Sequence, residues 1–379
     1  MRVILGKLVT FFLIFFLNAC TGTYKLNDQS LEKEYFETFY NNNNKVILLS
    51  NDIKEFNKNV YENNKGVINF NNLPKYFKNK KNLKYGLVVK KSNLRARPTN
   101  RPKFESKDDT HFDERQYKEL KVGEWVILHR TVNSWAFVST YNVQGWVENK
   151  NLAFFNDYKS LKKYLNEKNF VVVTDKQIKL KDNYLDMGVK LPLIKENKKD
   201  VIVKLPKRNK EGKVYFRNLK LKKEKIHIGY LAYTKRNLIR QALKYLGTSY
   251  GWGGLYNGVD CSGFILNVYS VFGFEFPRNS SFQQNVNSNA KQIKNSKILS
   301  KYLNNKLSGS LVYFPGHIMI YLGKRDNKDY IIHAIAYIFD NKMKKYEIFK
   351  VVITDTDIIR KTGKAFKEEI TSVTTIKWF

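Results

Sequence analysis

The 379-residue chain is short of cysteine, proline and negative charge. Two cysteines cannot staple a set of small domains, and they cannot form the thiolate cluster of a structural zinc site. Five histidines scattered along the chain add no ligand cluster, so neither a metal nor another cofactor is expected. Seven prolines argue against a long disordered stalk. The 34 acidic residues face 68 basic ones, a formal charge of +34. Such a field favours polyanions: nucleic acid, anionic lipid head groups or an acidic extracellular matrix. A solvated surface rich in lysine would carry the same charge with no partner at all.

The N-terminus reads "MRVILGKLVTFFLIFFLNAC". Arg2 and Lys7 form a basic n-region, and Leu8 to Leu17 is an apolar h-region too short to span a bilayer comfortably. Leu17-Asn18-Ala19-Cys20 resembles the lipobox of bacterial lipoproteins. The resemblance implies that residues 1–20 are a signal peptide and that Cys20 carries lipid, placing an exported protein at a membrane of the bacterial cell envelope. An ordinary signal peptide or an uncleaved anchor is the alternative, and each still means export. With Cys20 acylated, Cys261 is the only thiol left and no intramolecular disulfide can form. A lone thiol in an oxidising compartment is a liability, so its retention asks for a reason.

Residues 21–80 read as a polar, helix-prone segment ending in the basic connector "LPKYFKNKKNLK". From residue 81 the pattern becomes short alternating runs broken by Gly, Pro, Asn and Asp, as expected of strands. In residues 81–156, "NLRARPT" followed by "GWV" resembles the bacterial SH3 domain, a small β-barrel. Residues 157–230 are β-rich again and look like a second, more divergent module of that type. "TKRNLIRQALKYLG" then puts Leu238, Ala242, Leu243 and Leu246 on one helical face and stops at Gly247. A second helix covers "GFILNVYSVFG", and five β-type runs follow Tyr302. Residues 231–379 therefore read as an α+β unit. The expected fold is multidomain, with two SH3-like β-barrels plus a papain-like α+β catalytic domain, the last element resting on the resemblance below.

Cys261 stands between Asp260 and Ser262 at the start of the second helix. A thiol there gains from the positive end of the helix dipole, and the first-turn N–H groups could hold an oxyanion. A base must be a histidine. His111 and His129 fall in the first β module and His227 precedes the last unit, which leaves His317 and His333. His317 begins a strand, and His333 lies 16 residues on (333 − 317), a spacing that suits a paired antiparallel strand. A nucleophile, a base and an orienting group is the pattern of a cysteine peptidase. Taken singly, each of these residues is as readily explained by packing.

"YGWGGLYNGVDCSGF", "FPRNSSFQQ", "LVYFPGHIMIYLG" and "IIHA", in this order, resemble the NlpC/P60 family of cell-wall cysteine peptidases. Within it they are similar to the lipoprotein, SH3-bearing branch, the γ-D-glutamyl-L-diamino acid endopeptidases. The resemblance implies Cys261 as nucleophile, His317 as general base and His333 as orienting residue. It implies that Tyr250 helps the oxyanion or the substrate carbonyl. Asp260 and Ser262 match positions that meet the free amine of an N-terminal L-alanine, and Tyr141 is a candidate contact from the first β module. Arg278 and Gln283 fit the family pattern, although loop and helix capping would explain them equally well. Trp252, Gly253 and Gly254 read as structural. Gly309-Ser310 stands where many relatives have Gly-Asp.

The implied partners are peptidoglycan stem peptides, a membrane reached through the lipid anchor, and anionic wall polymers. Nucleic acid is not expected for an exported chain without a nucleic-acid motif, and a monomer is expected. Two other functions remain open on the sequence. One is a crosslink-cutting endopeptidase or amidase with the same triad, and the other is a non-catalytic wall-binding lipoprotein.

Overall fold

The computed structural model describes residues 83–376, except 106–109, 285, 287–289 and 305–306. The expected signal peptide, Cys20 and the helix-prone segment to residue 80 lie outside the described residues. None of the described helices is long and apolar enough to cross a membrane.

Seven strands come first: β1 (Lys84–Val88), β2 (Ser92–Arg95), β3 (Gln116–Leu120), β4 (Trp125–Val132), β5 (Trp135–Ser139), β6 (Gln144–Glu148) and β7 (Leu152–Phe154). They form one antiparallel sheet in the order β3-β2-β6-β5-β4-β1-β7. The expected SH3-like barrel is not closed: β3 and β7 end the sheet without pairing to each other, and β2 meets β6 through the single pair Arg95 and Trp146. At that open side a buried side-chain cluster does the joining. Arg95 bonds Asp113 at 2.6 Å and Gln116 at 3.0 Å, which ties β2 to the entry of β3.

After helix α1 (Tyr158–Leu165) come β8 (Phe170–Val173), β9 (Gln177–Lys179), β10 (Tyr184–Asp186), β11 (Lys190–Glu196), β12 (Asp200–Arg208), β13 (Val214–Lys222) and β14 (Ile226–Ile228). They make an open five-stranded sheet, β13-β12-β11-β8-β14, and a separate β9-β10 ribbon. The second expected barrel is likewise absent, because β9 and β10 pair with each other instead of extending the sheet.

The remaining elements are α2 (Lys235–Leu243), α3 (Cys261–Ser270), α4 (Ser280–Gln283), β15 (Ala290–Gln292), α5 (Ser296–Tyr302), β16 (Leu311–Phe314), β17 (His317–Arg325), β18 (Lys328–Phe339), β19 (Lys345–Asp355), α6 (Phe366–Glu369) and β20 (Ser372–Thr374). The strands form an antiparallel sheet, β15-β20-β16-β17-β18-β19. Strand pleating sends alternate residues to opposite faces. Ile318, Ile320, Leu322, Ile332 and Ala334 pack with Leu238 and Ala242 of α2 and Phe264, Ile265 and Val268 of α3. Met319, Tyr321, Ile331 and Ile335 pack on the other side with Leu299 of α5 and Phe366 of α6.

Helix α3 is apolar almost all round, as suits a helix buried between a sheet and a second helix. Its start is fixed by Asp260, whose side chain accepts from the Gly263 N–H at 2.7 Å. Before it, the loop Trp252–Asn257 lies against β3. Gly253 and Gly254 have φ of 60° and 88°, and a Cβ on Gly253 would meet Gln116 Cγ at 2.5 Å. That approach is what the two glycines permit.

Candidate active site

Cys261 opens α3, and the backbone N–H groups of Ser262 and Ile318 favour its charged form. Burial pushes the thiol up to about 12, and the adjacent Asp260 carboxylate pushes the same way. The helix dipole and the two N–H groups offset only part of this. The resting side chain is therefore a thiol, and a thiolate has to be made by proton transfer. The lowered pKa expected from the helix terminus is not realised, because desolvation outweighs a dipole interaction of about 1 kcal/mol.

His317 is placed by a tight turn. Phe314 and His317 pair across the β16–β17 hairpin, with Pro315 and Gly316 between them and Gly316 at φ 90°. Proline followed by a glycine with positive φ suits a type II turn. Pleating sends Ile318 toward α3 and puts His317 on the face of Met319 and Tyr321. The thiol thus meets β17 at the rim of the sheet, one residue past His317. On the neighbouring strand His333 is fully buried, and its Nδ1 lies 2.8 Å from His317 Nε2. Its other nitrogen, Nε2, lies 3.1 Å from Thr354 Oγ1. Phe366 stands against both imidazoles, with ring centres 6.0 Å from His317 and 5.7 Å from His333. Burial, with a smaller effect of the Arg360 cation, lowers His317 to about 3. Burial, then the neighbouring His317, holds His333 well below the usual histidine range. Both rings are neutral at rest.

Asp260 is 4% exposed and its carboxylate is fully engaged. One oxygen accepts from Gly263 N–H at 2.7 Å, Ser262 Oγ at 3.2 Å and Arg278 Nη1 at 3.2 Å. The other accepts from Gly253 N–H at 2.8 Å and from Arg278 Nη2. Desolvation opposes the charge, yet Arg278 and these donors hold the carboxyl below its ordinary range. Arg278 also donates to Ser262 Oγ at 2.5 Å and to the Tyr117 carbonyl of β3 at 2.9 Å. Asp260 and Ser262, expected to meet a substrate amine, are thus met by an internal guanidinium.

Tyr250 packs beside the site, its N–H bonded to the Phe349 carbonyl at 2.7 Å. Burial, then the charges of Cys261 and Asp260, raise its phenol well above 10, so the hydroxyl stays a proton donor. Phe112, on the connection between β2 and β3, reaches over to Tyr250, Trp252 and Tyr337 at 5.9, 5.4 and 6.3 Å between ring centres. His111 stacks on Phe349 at 4.0 Å. Tyr141 lines a cavity of about 330 Å³ with Lys118, Glu124 and Glu275, and Asp260 and Arg278 line the same cavity, although neither Cys261 nor Tyr250 borders it. The Lys118 ammonium lies 4.8 Å from the centre of its ring.

The structure thus gathers Cys261, Tyr250, Asp260 and Ser262 around the start of α3, joins His317 to His333, and sets Tyr141 in a cavity that Asp260 and Arg278 also line. Gln283 is buried and donates to the Ser262 and Pro277 carbonyls at 3.1 and 2.8 Å, which makes it a brace beneath the site. Thr354, Phe112 and Phe366 were not singled out in the sequence. Thr354 becomes visible only through the β18–β19 register, and Phe112 only through a long-range contact between the first sheet and the α3 region. Among the described residues, no group of three or more His, Cys, Asp or Glu side chains could hold a metal ion.

Residues 247–347 match the profile of the NlpC/P60 family. The C-terminal part of the chain therefore carries an NlpC/P60 family domain. Over 91 residues the chain is 31% identical to dipeptidyl-peptidase 6 of Lysinibacillus sphaericus, covering 24% of this chain and 30% of that relative. The match spans under a third of the length of this curated relative. In fold, the chain is similar to an NlpC/P60 endopeptidase from Photobacterium damselae subsp. piscicida, at 19% identity and a TM-score of 0.65, with 93% of each chain covered. It is also similar to an NlpC/P60 family protein from Bacillus cereus ATCC 10987, at 20% identity and a TM-score of 0.55, covering 77% of this chain and 99% of that one.

Proposed function

We propose that the protein is a cysteine peptidase that cleaves the bond between γ-D-glutamate and the L-diamino acid of peptidoglycan stem peptides. The observation that carries this reading is a thiol at the start of a buried helix, beside a strand whose first residue, His317, is bonded to His333. His317 takes the thiol proton through Nδ1 as Sγ attacks the γ-carbonyl carbon. The tetrahedral oxyanion is held by the first-turn N–H groups of α3 and the Tyr250 hydroxyl. As the C–N bond breaks, the imidazolium returns its proton to the departing amine, leaving a Cys261 thioester. Water, deprotonated by His317, then hydrolyses the thioester.

Asp260 serves this chemistry through position. It caps α3 and, with Arg278, locks the Gly253 loop and Ser262 around the thiol. A requirement for a free N-terminal L-alanine belongs to the same proposal, but it is supported by the aromatic wall of Phe112, Trp252 and Tyr337, not by an open carboxylate. That wall limits how much peptide fits before the scissile bond. We place the enzyme in the cell envelope, anchored through lipid on Cys20, with its positive surface drawing it toward anionic wall polymers, an attraction that salt weakens.

The test uses full-length protein and its Cys261→Ala variant on L-Ala-γ-D-Glu-diaminopimelate, free and capped with N-acetylmuramic acid, with products read by mass. Release of diaminopimelate from the free tripeptide by the wild type alone is the expected result. Equal cleavage of the capped peptide would keep the bond assignment and remove the free-amine requirement. Cleavage at another bond would contradict the assignment.

A further inference from the structure

We propose that Thr354 is a positioning residue that holds the His333 ring, and through it His317, in the arrangement that leaves His317 Nδ1 free to act as the base. The inference rests on the reading of Cys261 as nucleophile and His317 as base.

The register of β18 and β19 pairs His333 with Val352 and Ile331 with Thr354. Thr354 is therefore the diagonal neighbour of His333 on the same face of the sheet, within side-chain reach. Both imidazole nitrogens of His333 are engaged, Nδ1 with His317 at 2.8 Å and Nε2 with Thr354 at 3.1 Å. A neutral imidazole carries one N–H and one lone pair, so only two arrangements of protons satisfy this chain. In the first, His333 donates Nε2–H to the Thr354 oxygen and accepts at Nδ1 from His317 Nε2–H. His317 then keeps a lone pair on Nδ1, the nitrogen left to take the thiol proton. In the second, the Thr354 hydroxyl donates to His333 Nε2, His333 donates Nδ1–H to His317 Nε2, and His317 holds its proton on Nδ1, where it cannot act as a base.

The first arrangement also serves the step that follows. Once His317 has accepted a proton it carries two N–H groups, and its Nε2–H already points at the His333 lone pair. The second would require both histidines to exchange protons before any proton left the thiol. The Thr354 hydroxyl can serve either arrangement; what it fixes is the place of His333 Nε2, and by accepting there it supports the productive one. A hydroxyl does this without adding charge, whereas a carboxylate at the same place would favour protonated histidines at rest. The chain from His317 to Thr354 is neutral at rest, in line with the low pKa directions of both histidines.

The experiment compares full-length wild type, Thr354→Val and Thr354→Ser. Valine keeps the shape and a strand-compatible branched side chain without the hydroxyl, and serine restores the hydroxyl. The first readout is the rate at which iodoacetamide alkylates Cys261 across pH 5 to 10, followed by the mass of the peptide that contains it. Thr354→Val is expected to lower the rate at neutral pH by roughly tenfold and to move the pH midpoint upward, as expected for loss of one buried hydrogen bond. Thr354→Ser is expected to recover the wild-type profile. Wild-type behaviour of Thr354→Val, or a serine variant as slow as the valine one, overturns the proposal. The second readout is hydrolysis of the free tripeptide, where Thr354→Val should lower kcat and leave KM unchanged. A hydroxyl-dependent alkylation profile without tripeptide cleavage would sink the substrate assignment and leave the role of Thr354 standing. Cleavage that is indifferent to Thr354 would do the reverse.

Discussion

Arg278 grips Asp260 with both terminal guanidinium nitrogens, and the same guanidinium reaches Ser262 Oγ and the Tyr117 carbonyl. One side chain thereby connects the helix that bears the thiol to strand β3 of the first sheet. Removing a partner from a buried ion pair leaves an uncompensated charge, at a cost of about 3–5 kcal/mol. Arg278→Met should lower the urea unfolding free energy by an amount in that range and slow tripeptide cleavage. Arg278→Lys, which keeps the charge but loses the planar fork, should fall between. A methionine variant as stable as wild type would contradict this account of Asp260.

The histidine pair sets a pH dependence of stability. Both rings are neutral in the folded protein, His317 lowered to about 3 and His333 held well below its usual range. In the unfolded chain each titrates at its ordinary value, so the unfolded state binds more protons as the pH falls below about 6.5. Their contribution to stability is fully present above that pH and is lost progressively toward pH 3. Urea denaturation midpoints should therefore fall from pH 6.5 downward, and a His333→Gln variant should show a flatter slope in that window. Parallel slopes for variant and wild type would count against a neutral buried pair.

Phe112 belongs to the first sheet by sequence and to the active site by position. Its edge contacts with Tyr250 and Trp252 are of the kind worth about 0.5–1.5 kcal/mol each. Phe112→Ala is expected to raise KM for the free tripeptide by roughly fivefold to tenfold, with kcat within about twofold of wild type. It should also narrow the preference for free over capped substrate. Steady-state kinetics on both peptides checks this, and an unchanged KM would remove Phe112 from the substrate wall.

Gly253 has positive φ and sits against Gln116, with its N–H on Asp260. Gly253→Ala has to displace the Gln116 side chain and adopt a left-handed backbone, a strain of roughly 1–2 kcal/mol before any clash. Reduced stability and reduced activity are expected together. A variant with full stability would mean that β3 does not brace this loop.

The parts of the fold most legible in the sequence were those set by local pattern. The helix over 235–243 announced itself by the spacing of Leu238 and Ala242, and the strands holding His317 and His333 by alternation. The candidate trio could be named because a thiol at a helix start and two histidines on neighbouring strands are local features. What stayed hidden depends on long-range register. Open sheets instead of barrels follow from which strands pair, and strand composition does not state that. The partner of Asp260 is 18 residues away in sequence, and Thr354 meets His333 only through a cross-strand diagonal. The high pKa of the Cys261 thiol is hidden for a related reason, since helix position is visible in sequence and burial is not.

The central claim is that Cys261 forms a thioester with the acyl part of a stem peptide. The most direct measurement mixes full-length protein with excess L-Ala-γ-D-Glu-diaminopimelate, quenches with acid within a turnover, and reads the mass of the Cys261-containing peptide. An added L-Ala-γ-D-Glu group on that peptide, released by hydroxylamine and absent from Cys261→Ala, is the expected result. Diaminopimelate released at full rate by Cys261→Ala, or an adduct that carries the diamino acid, would contradict it.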